Sequence, residues 1–540
     1  MIQTLQRYGK VLVAIFFCLL LLIGLLTIPD YGSYWDERSE VGILRMSLVE
    51  YAQLFSLESD ALQTLLQAGV IPISQSVERD HGICTYYPLF GALLNPSLST
   101  RAFSLLWRGY TWLLFMLGAW SLYAIARVMG LSRGMGCIAV LLLVLSPRFF
   151  AEGHYNNKDI VLMSLVLLVL WQTIRLAVKP SFPRAFWFAL AAGFCCGTRI
   201  IGMAVCLCCG LMVLLRLIYL GRLNRRVVGI GGFTLLLSVL FYMALTPAML
   251  SAPVDFFEHL LKNAVGFSRW HGTILFDGIL VQTASEKVPA LYLPIMIALT
   301  TPLWALMLLL IGLCAFIVRA ARERMRLLQT TDGFMLTLVF ILFLVPLCFA
   351  VFSRMLVYNG WRHFYFLQGP MALLMLYGWH QLWGLAKRIR YGKHIAAGLL
   401  AGALVFTGIG IWRNHPYQYG FYNALLPREK LETRYELDYW NLSLTNALRT
   451  LVAQSDGKPL LVTPSDPKTR SGVNNAIDLL TLDTITVLRQ APLSGADTYV
   501  ISNVMYAVIH EYQPPEGYEP IMTINSYGVP MTILYAAPSI

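Results

Sequence analysis

The sequence predicts a polytopic α-helical membrane protein, with about eleven transmembrane helices and a small C-terminal α/β domain outside the membrane. Three observations point there. Of the 540 residues, 57% are hydrophobic and only 13% are charged, where a soluble domain carries about a quarter. The apolar residues come in runs near the ~20 residues that a helix needs to cross a bilayer. Lys and Arg collect in alternate short connections, as in a membrane protein with one fixed orientation. Together these exclude a disordered chain, a disulfide scaffold and an ordinary cytosolic enzyme. The same connections account for the net charge of +12, so no nucleic-acid partner is implied.

Spans are expected near 11–29, 108–127, 135–147, 160–177, 184–197, 200–217, 228–248, 290–318, 334–352, 364–385 and 395–412. The runs at 135–147 and 184–197 are short. The first run is too long for the apolar stretch of a cleaved signal and lacks a small-residue cleavage site. It reads as an anchor. With the N-terminus in the cytoplasm, the inside loops hold 19 basic residues and two acids, Glu323 and Asp332. That asymmetry puts the C-terminal domain on the extracytoplasmic side. Residues 1–412 form the membrane module, with outer loops at 30–107 and 249–289, and 413–540 form the α/β domain. The short turns at 148–159, 198–199 and 353–363 share the outer side.

The tail changes character at Trp412–Pro416, beyond which apolar runs are short and broken by Pro, Gly and Asp. Segments 458–464, 484–488 and 498–502 read as strands, and 442–454 and 475–480 as helices. Nine of the ten cysteines lie within apolar runs, so no disulfide framework is expected. Cys195, Cys196, Cys206, Cys208 and Cys209 lack the paired spacing of a zinc site and read as small packing residues.

Five constellations carry possible chemistry. Tyr34-Trp35-Asp36-Glu37-Arg38 follows the first span, and two adjacent carboxylates at a membrane surface must be hydrated, paired or used. Arg148 and then Asn156-Asn157-Lys158-Asp159 open the fourth span and offer cations at headgroup level. Arg199 is a lone cation between the fifth and sixth spans, on the side where positive charge is disfavoured. It fits an anion better than a snorkelling role. Asn359-Gly360-Trp361-Arg362-His363 opens the tenth span, where an arginine fork could grip a phosphate. Ser268–Gly272 with Phe276-Asp277-Gly278 lies in the 249–289 loop, next to an amphipathic segment at 255–267 suited to the interface plane. The sequence holds no phosphate-binding P-loop and no H-E-x-x-H, and no nucleophile elbow. ATP-driven transport therefore has no support.

The order of these motifs resembles the GT-C membrane glycosyltransferases: an acid pair after span one, S-P-R-F-F with K-D at span four, G-x-R, and N-G-W-R-H-x-Y-F at span ten. Nearest is the bacterial branch related to protein O-mannosyltransferases and lipid A aminoarabinose transferases, and this likeness implies a location in the plasma (inner) membrane. His415–Asn423, Glu436–Trp440 and the segment Pro289–Pro294 extend the likeness, which covers most of residues 1–445.

The resemblance implies a transferase that takes a sugar from a polyprenyl-phosphate donor and passes it to a glycan, lipid or protein acceptor, with inversion at the anomeric carbon. It implies Asp36 as the general base, Glu37 as its orienting neighbour, and Asp159 as a second-loop acid. Lys158, Arg199 and Arg362, with His363 and Arg148, are implied as the groups that hold the donor phosphate. Some GT-C enzymes use a divalent metal ion, Mg or Mn, and others do not. Asp36 and Glu37 are the residues offered for one. The rival is a transporter or flippase of a lipid-linked anion, which would place charges on broken helices near the midplane. Here all 29 acids fall in loops or at span boundaries.

Overall fold

The computed structural model describes residues 2–265, 272–355, 358–466, 469–480, 485–487, 498–503 and 512–537. All eleven apolar runs are helical. Among the described residues eight helices are long and apolar enough to cross a membrane, which makes this a multi-pass membrane protein. They are Tyr8–Asp30, Thr100–Val128, Asp159–Val178, Ile201–Tyr219, Arg225–Ala244, Leu303–Gln329, Thr331–Ser353 and Gly392–Arg413. The other three expected spans fall outside that set. Arg133–Val144 has 12 residues and Phe182–Thr198 has 17. Gln368–Ala386 has 19, but Gln368, His380 and Gln381 lower its apolarity.

Local chemistry sets several helix starts. Ser99, Ser132, Asn224 and Thr330 each accept a hydrogen bond from a backbone N–H in the first turn, which satisfies donors that no preceding turn can reach. The run at 290–318 is not one helix. It breaks at Thr301-Pro302 into Tyr292–Thr300 and Leu303–Glu323, because proline supplies no N–H to continue the ladder. Asn423, from the start of the tail, takes over the freed groups. Its amide donates to the carbonyls of Ala298 (2.6 Å) and Thr301 (2.7 Å), and its backbone N–H donates to Leu299 (2.8 Å).

Small residues let the helices touch in an environment where apolar burial gives no net drive. A Cβ on Gly312 would sit 2.0 Å from the Leu374 carbonyl, and one on Gly378 would sit 2.1 Å from that of Leu308. The Leu303–Glu323 and Gln368–Ala386 helices therefore meet backbone to backbone. Helix Gly392–Arg413 instead turns Leu399, Phe406 and Trp412 outwards, a surface suited to lipid.

The polar regions gather on one side. The first loop carries helix Glu37–Leu54. The 249–289 loop carries the amphipathic helix Pro253–Val265 and a hairpin of β1 (Thr273–Phe276) and β2 (Ile279–Gln282). The hairpin turns at Asp277-Gly278, both at positive φ, the geometry that Asp-Gly favours. Ser268–His271, one of the sequence constellations, lies outside the described residues.

In the tail, β3 (Leu460–Pro464), β4 (Ile485–Val487), β5 (Thr498–Asn503), β6 (Glu519–Ser526) and β7 (Val529–Ala536) form one sheet in the order β4-β3-β5-β7-β6. The first three are parallel to one another, and β7 and β6 add an antiparallel edge. Helices Leu442–Gln454 and Thr469–Leu480 cover it. The sequence reading has the first three strands and the first helix. It starts the second helix six residues late and omits the β6–β7 hairpin.

Candidate active site

Loop one leaves the first span through a short 3-10 turn, Ile28–Asp30, and then runs buried and extended to Tyr34. The tail fixes this stretch. Ser33 N–H donates to Thr445 Oγ1 (2.9 Å), Trp35 N–H donates to the Trp440 carbonyl (3.1 Å), and the Asn475 amide donates to the Trp35 carbonyl (3.2 Å). Asp36 then stands at the N-cap of helix Glu37–Leu54, where its side chain makes no capping bond. The carboxylate is directed instead to Arg362, whose Nη1 donates to Asp36 Oδ2 at 3.0 Å. The Asp36 side chain keeps 31% of its surface. Burial pushes its carboxyl above the usual range, and the Arg362 charge opposes that push.

A kink in the 359–367 segment aims Arg362. Gly360 and Trp361 both have left-handed backbone, φ 69° and 58°. For tryptophan this conformation is strained. The ring is held in compensation, with its Nε1 donating to Thr300 Oγ1 at 3.0 Å. At Gly360 a Cβ would lie 2.5 Å from the Tyr419 hydroxyl, so only glycine fits. The Arg362 guanidinium lies over the rings of Tyr358, Tyr439 and Trp440 at 4.5–4.7 Å and donates to the Tyr439 hydroxyl (2.7 Å). Two of those three rings come from the tail.

The Asn156–Asp159 turn brings two more charges. Asn156 Oδ1 accepts from the backbone N–H of Lys158 (3.2 Å) and Asp159 (2.8 Å), which seats Asp159 at the start of the fourth span. Lys158 Nζ donates to Glu40 Oε1 (2.9 Å), and Arg199 pairs with Asp159 at 2.5 Å. Glu40 also receives Asn157 (3.2 Å) and His81 (3.0 Å). Burial raises the Glu40 carboxyl, but His81, Asn157 and Arg199 outweigh burial and hold it below the usual range. His81 lies between Glu40 and Glu78, each about 3 Å from one ring nitrogen. Burial lowers its pKa, and the two carboxylates more than reverse this and lift it to about 9. His81 is therefore a cation at neutral pH.

Asp36, Lys158, Asp159, Arg199 and Arg362, together with Glu40, thus form a network of three ion pairs. His363 sits beside it against Tyr358, with ring centroids 4.0 Å apart. Burial, with Arg199 and Arg362 adding to it, pushes its pKa well down, so it faces the network as a neutral imidazole.

Two expected residues stand apart. Glu37 turns away from Asp36, because its oxygens are taken by Arg108 (2.8 Å), Ser33 (2.8 Å) and Ser104. The two adjacent acids therefore do not converge on a metal ion. Among the described residues no group of three or more His, Cys, Asp or Glu is placed to hold one. Arg148 is clasped between the Tyr419 and Tyr422 rings (4.6 and 4.8 Å) and donates to the Phe421 carbonyl (3.4 Å). Its carboxyl neighbours are Glu152 and Glu436, which burial raises to about 7 and about 8. Arg38 pairs with Asp478 of the tail.

The sequence reading misses Glu40 and His81. Glu40 carries a signal, since four residues after Asp36 it shares a helix face with it. His81 carries none, because fold contacts alone lay the 81–82 turn against Gly197.

No family model matches this chain, and no curated protein matches it. Among solved structures it is similar to the crystal structure of ArnT from Cupriavidus metallidurans bound to undecaprenyl phosphate. That likeness has 11% identity and a TM-score of 0.43, and it covers 98% of each chain. The apo state of the same protein is 13% identical with a TM-score of 0.42, covering 86% of this chain and 93% of that one.

Proposed function

We propose that this protein is a membrane glycosyltransferase that moves a hexosyl or pentosyl group from a polyprenyl-phosphate donor to an acceptor hydroxyl, on a glycan, lipid or protein, at the extracytoplasmic face. The carrying observation is Asp36, a partly exposed carboxylate held at 3.0 Å by Arg362 beside Lys158 and Arg199. The acceptor oxygen attacks the anomeric carbon and its proton passes to Asp36. The bond from that carbon to the phosphate oxygen breaks, the centre inverts, and the leaving phosphate keeps the electron pair on its lipid. Cations preorganised in a dry site are usually a large contribution to such a step. Lys158, Arg199 and Arg362 are each paired in this structure, yet ammonium and guanidinium have hydrogens to spare. A donor phosphate can share them without displacing the carboxylates.

Glu37, committed to Arg108, is not placed to share a metal ion with Asp36. A lipid headgroup as acceptor fits the same chemistry.

The test is turnover. Purified protein in detergent receives a panel of radiolabelled polyprenyl-phosphate sugars, beginning with undecaprenyl carriers, with candidate acceptors. Release of free polyprenyl phosphate with label on an acceptor is the expected result. Binding of donors without release from any of them would favour a carrier for lipid-linked anions.

A further inference from the structure

Helix Glu37–Leu54 has two working faces. Asp36 and Glu40 turn to the charged network, while Glu37, Val41 and Arg45, spaced four apart, turn the other way. On that second face lies a recess of about 300 Å³. Its walls come from this helix, from the segment 92–107 and from tail helix Thr469–Leu480. Sites for small ligands begin at about this volume.

The lining has a definite chemistry. Arg38 and Arg45 stand at the side of the loop-one helix, and Asp478 faces them from the tail. Arg38 is tied to Asp478. Arg45 is exposed and has no ion-pair partner among the described residues. Phe103 offers an aromatic face, and Asn475 and Thr100 offer hydrogen bonds. Buried Glu37 is neutralised by Arg108, so it does not repel an anion. Asn475 also donates to the Trp35 carbonyl, one residue before Asp36. Asn475 thus joins the wall of the recess to the backbone that carries Asp36.

We propose that this recess is a second ligand site that takes a saccharide bearing an anionic group, the part of the acceptor remote from the reacting hydroxyl. This rests on the transferase reading. Arg45 pairs with the anion, and the amide, hydroxyl and ring line the sugar. Binding of a remote part of a substrate holds the reacting end in place.

The test is binding to the full-length protein in detergent, measured calorimetrically without donor. Glucose 1-phosphate, glucose and inorganic phosphate are the probes. Wild type, Arg45→Glu and Arg362→Lys are compared. The expected result is saturable binding of glucose 1-phosphate to wild type and Arg362→Lys alike. Arg45→Glu should bind at least about tenfold more weakly, the loss of one charge-assisted hydrogen bond. Equal binding of inorganic phosphate would overturn the saccharide part. Binding lost in Arg362→Lys but kept in Arg45→Glu would place the ligand in the charged network and overturn the recess. Absence of saturable binding would overturn it as well. None of these results depends on donor turnover, so the transferase reading fails or stands separately.

Discussion

Adjacent acids can take opposite roles when a helix begins between them. Asp36 at the N-cap faces Arg362, and Glu37 one position on is buried against Arg108. The sequence shows the pair but not the divergence, which depends on where the helix starts. Arg362 reaches Asp36 with one nitrogen and Tyr439 with the other, a fork that lysine lacks. Arg362→Lys is expected to keep the fold and lose about 10²–10³-fold in kcat, the scale for one preorganised donor, as read by donor turnover. His81 gives a pH signature. Its pKa is lifted from 6.5 to about 9, so its contribution is complete below pH 6.5 and fades as pH rises through 9. In melting temperatures measured from pH 6 to 10, wild type should exceed His81→Gln most at pH 6 and converge with it by pH 10. A gap that widens with pH would contradict the Glu40–His81–Glu78 geometry. Glu40 was legible only as a neighbour of Asp36 on one helix face, and His81 was not legible at all, because its pairing with Glu40 spans 41 positions of intervening loop.

Elements were more legible than contacts. Long apolar runs announce helices because lipid leaves a backbone no other partner, and each run at 11–29 through 395–412 is helical. The break inside 290–318 escaped because its apolarity continues across Thr301-Pro302, and the residue that satisfies the break, Asn423, is over 120 positions away. The β6–β7 hairpin escaped for a local reason. Its turn, Tyr527-Gly528, has positive φ at both residues, but tyrosine is not a usual signal for such a turn. The Gly312–Gly378 contact gives a prediction at this scale. Gly378→Val must push two helix backbones apart and should cost on the order of 1–3 kcal/mol. The expected outcome is a lower melting temperature in detergent, with Gly384→Val, where a Cβ meets nothing within 4 Å, as the near-neutral control.

The whole molecule brings five distant stretches together: loop one, the turn before the fourth span, the turn before the sixth, the 358–363 kink, and the tail. The tail is part of the site rather than an appendage. Tyr439 and Trp440 cage Arg362, while Thr445, Trp440 and Asn475 grip the backbone leading to Asp36. Charge asymmetry between loops placed these polar regions on one side, and the contacts between loop one, the 249–289 hairpin and the tail agree. What sequence alone did not yield is which charges pair between these stretches, since pairing depends on helix rotation and turn geometry.

The central claim is that Asp36 is the base in a site whose cations hold the donor phosphate. The most direct measurement compares wild type with Asp36→Asn for two quantities on one preparation, affinity for a polyprenyl-phosphate sugar and its rate of transfer. The account predicts affinity within a few fold of wild type and a transfer rate lower by about 10²–10⁴-fold. Transfer at the wild-type rate by Asp36→Asn would contradict it.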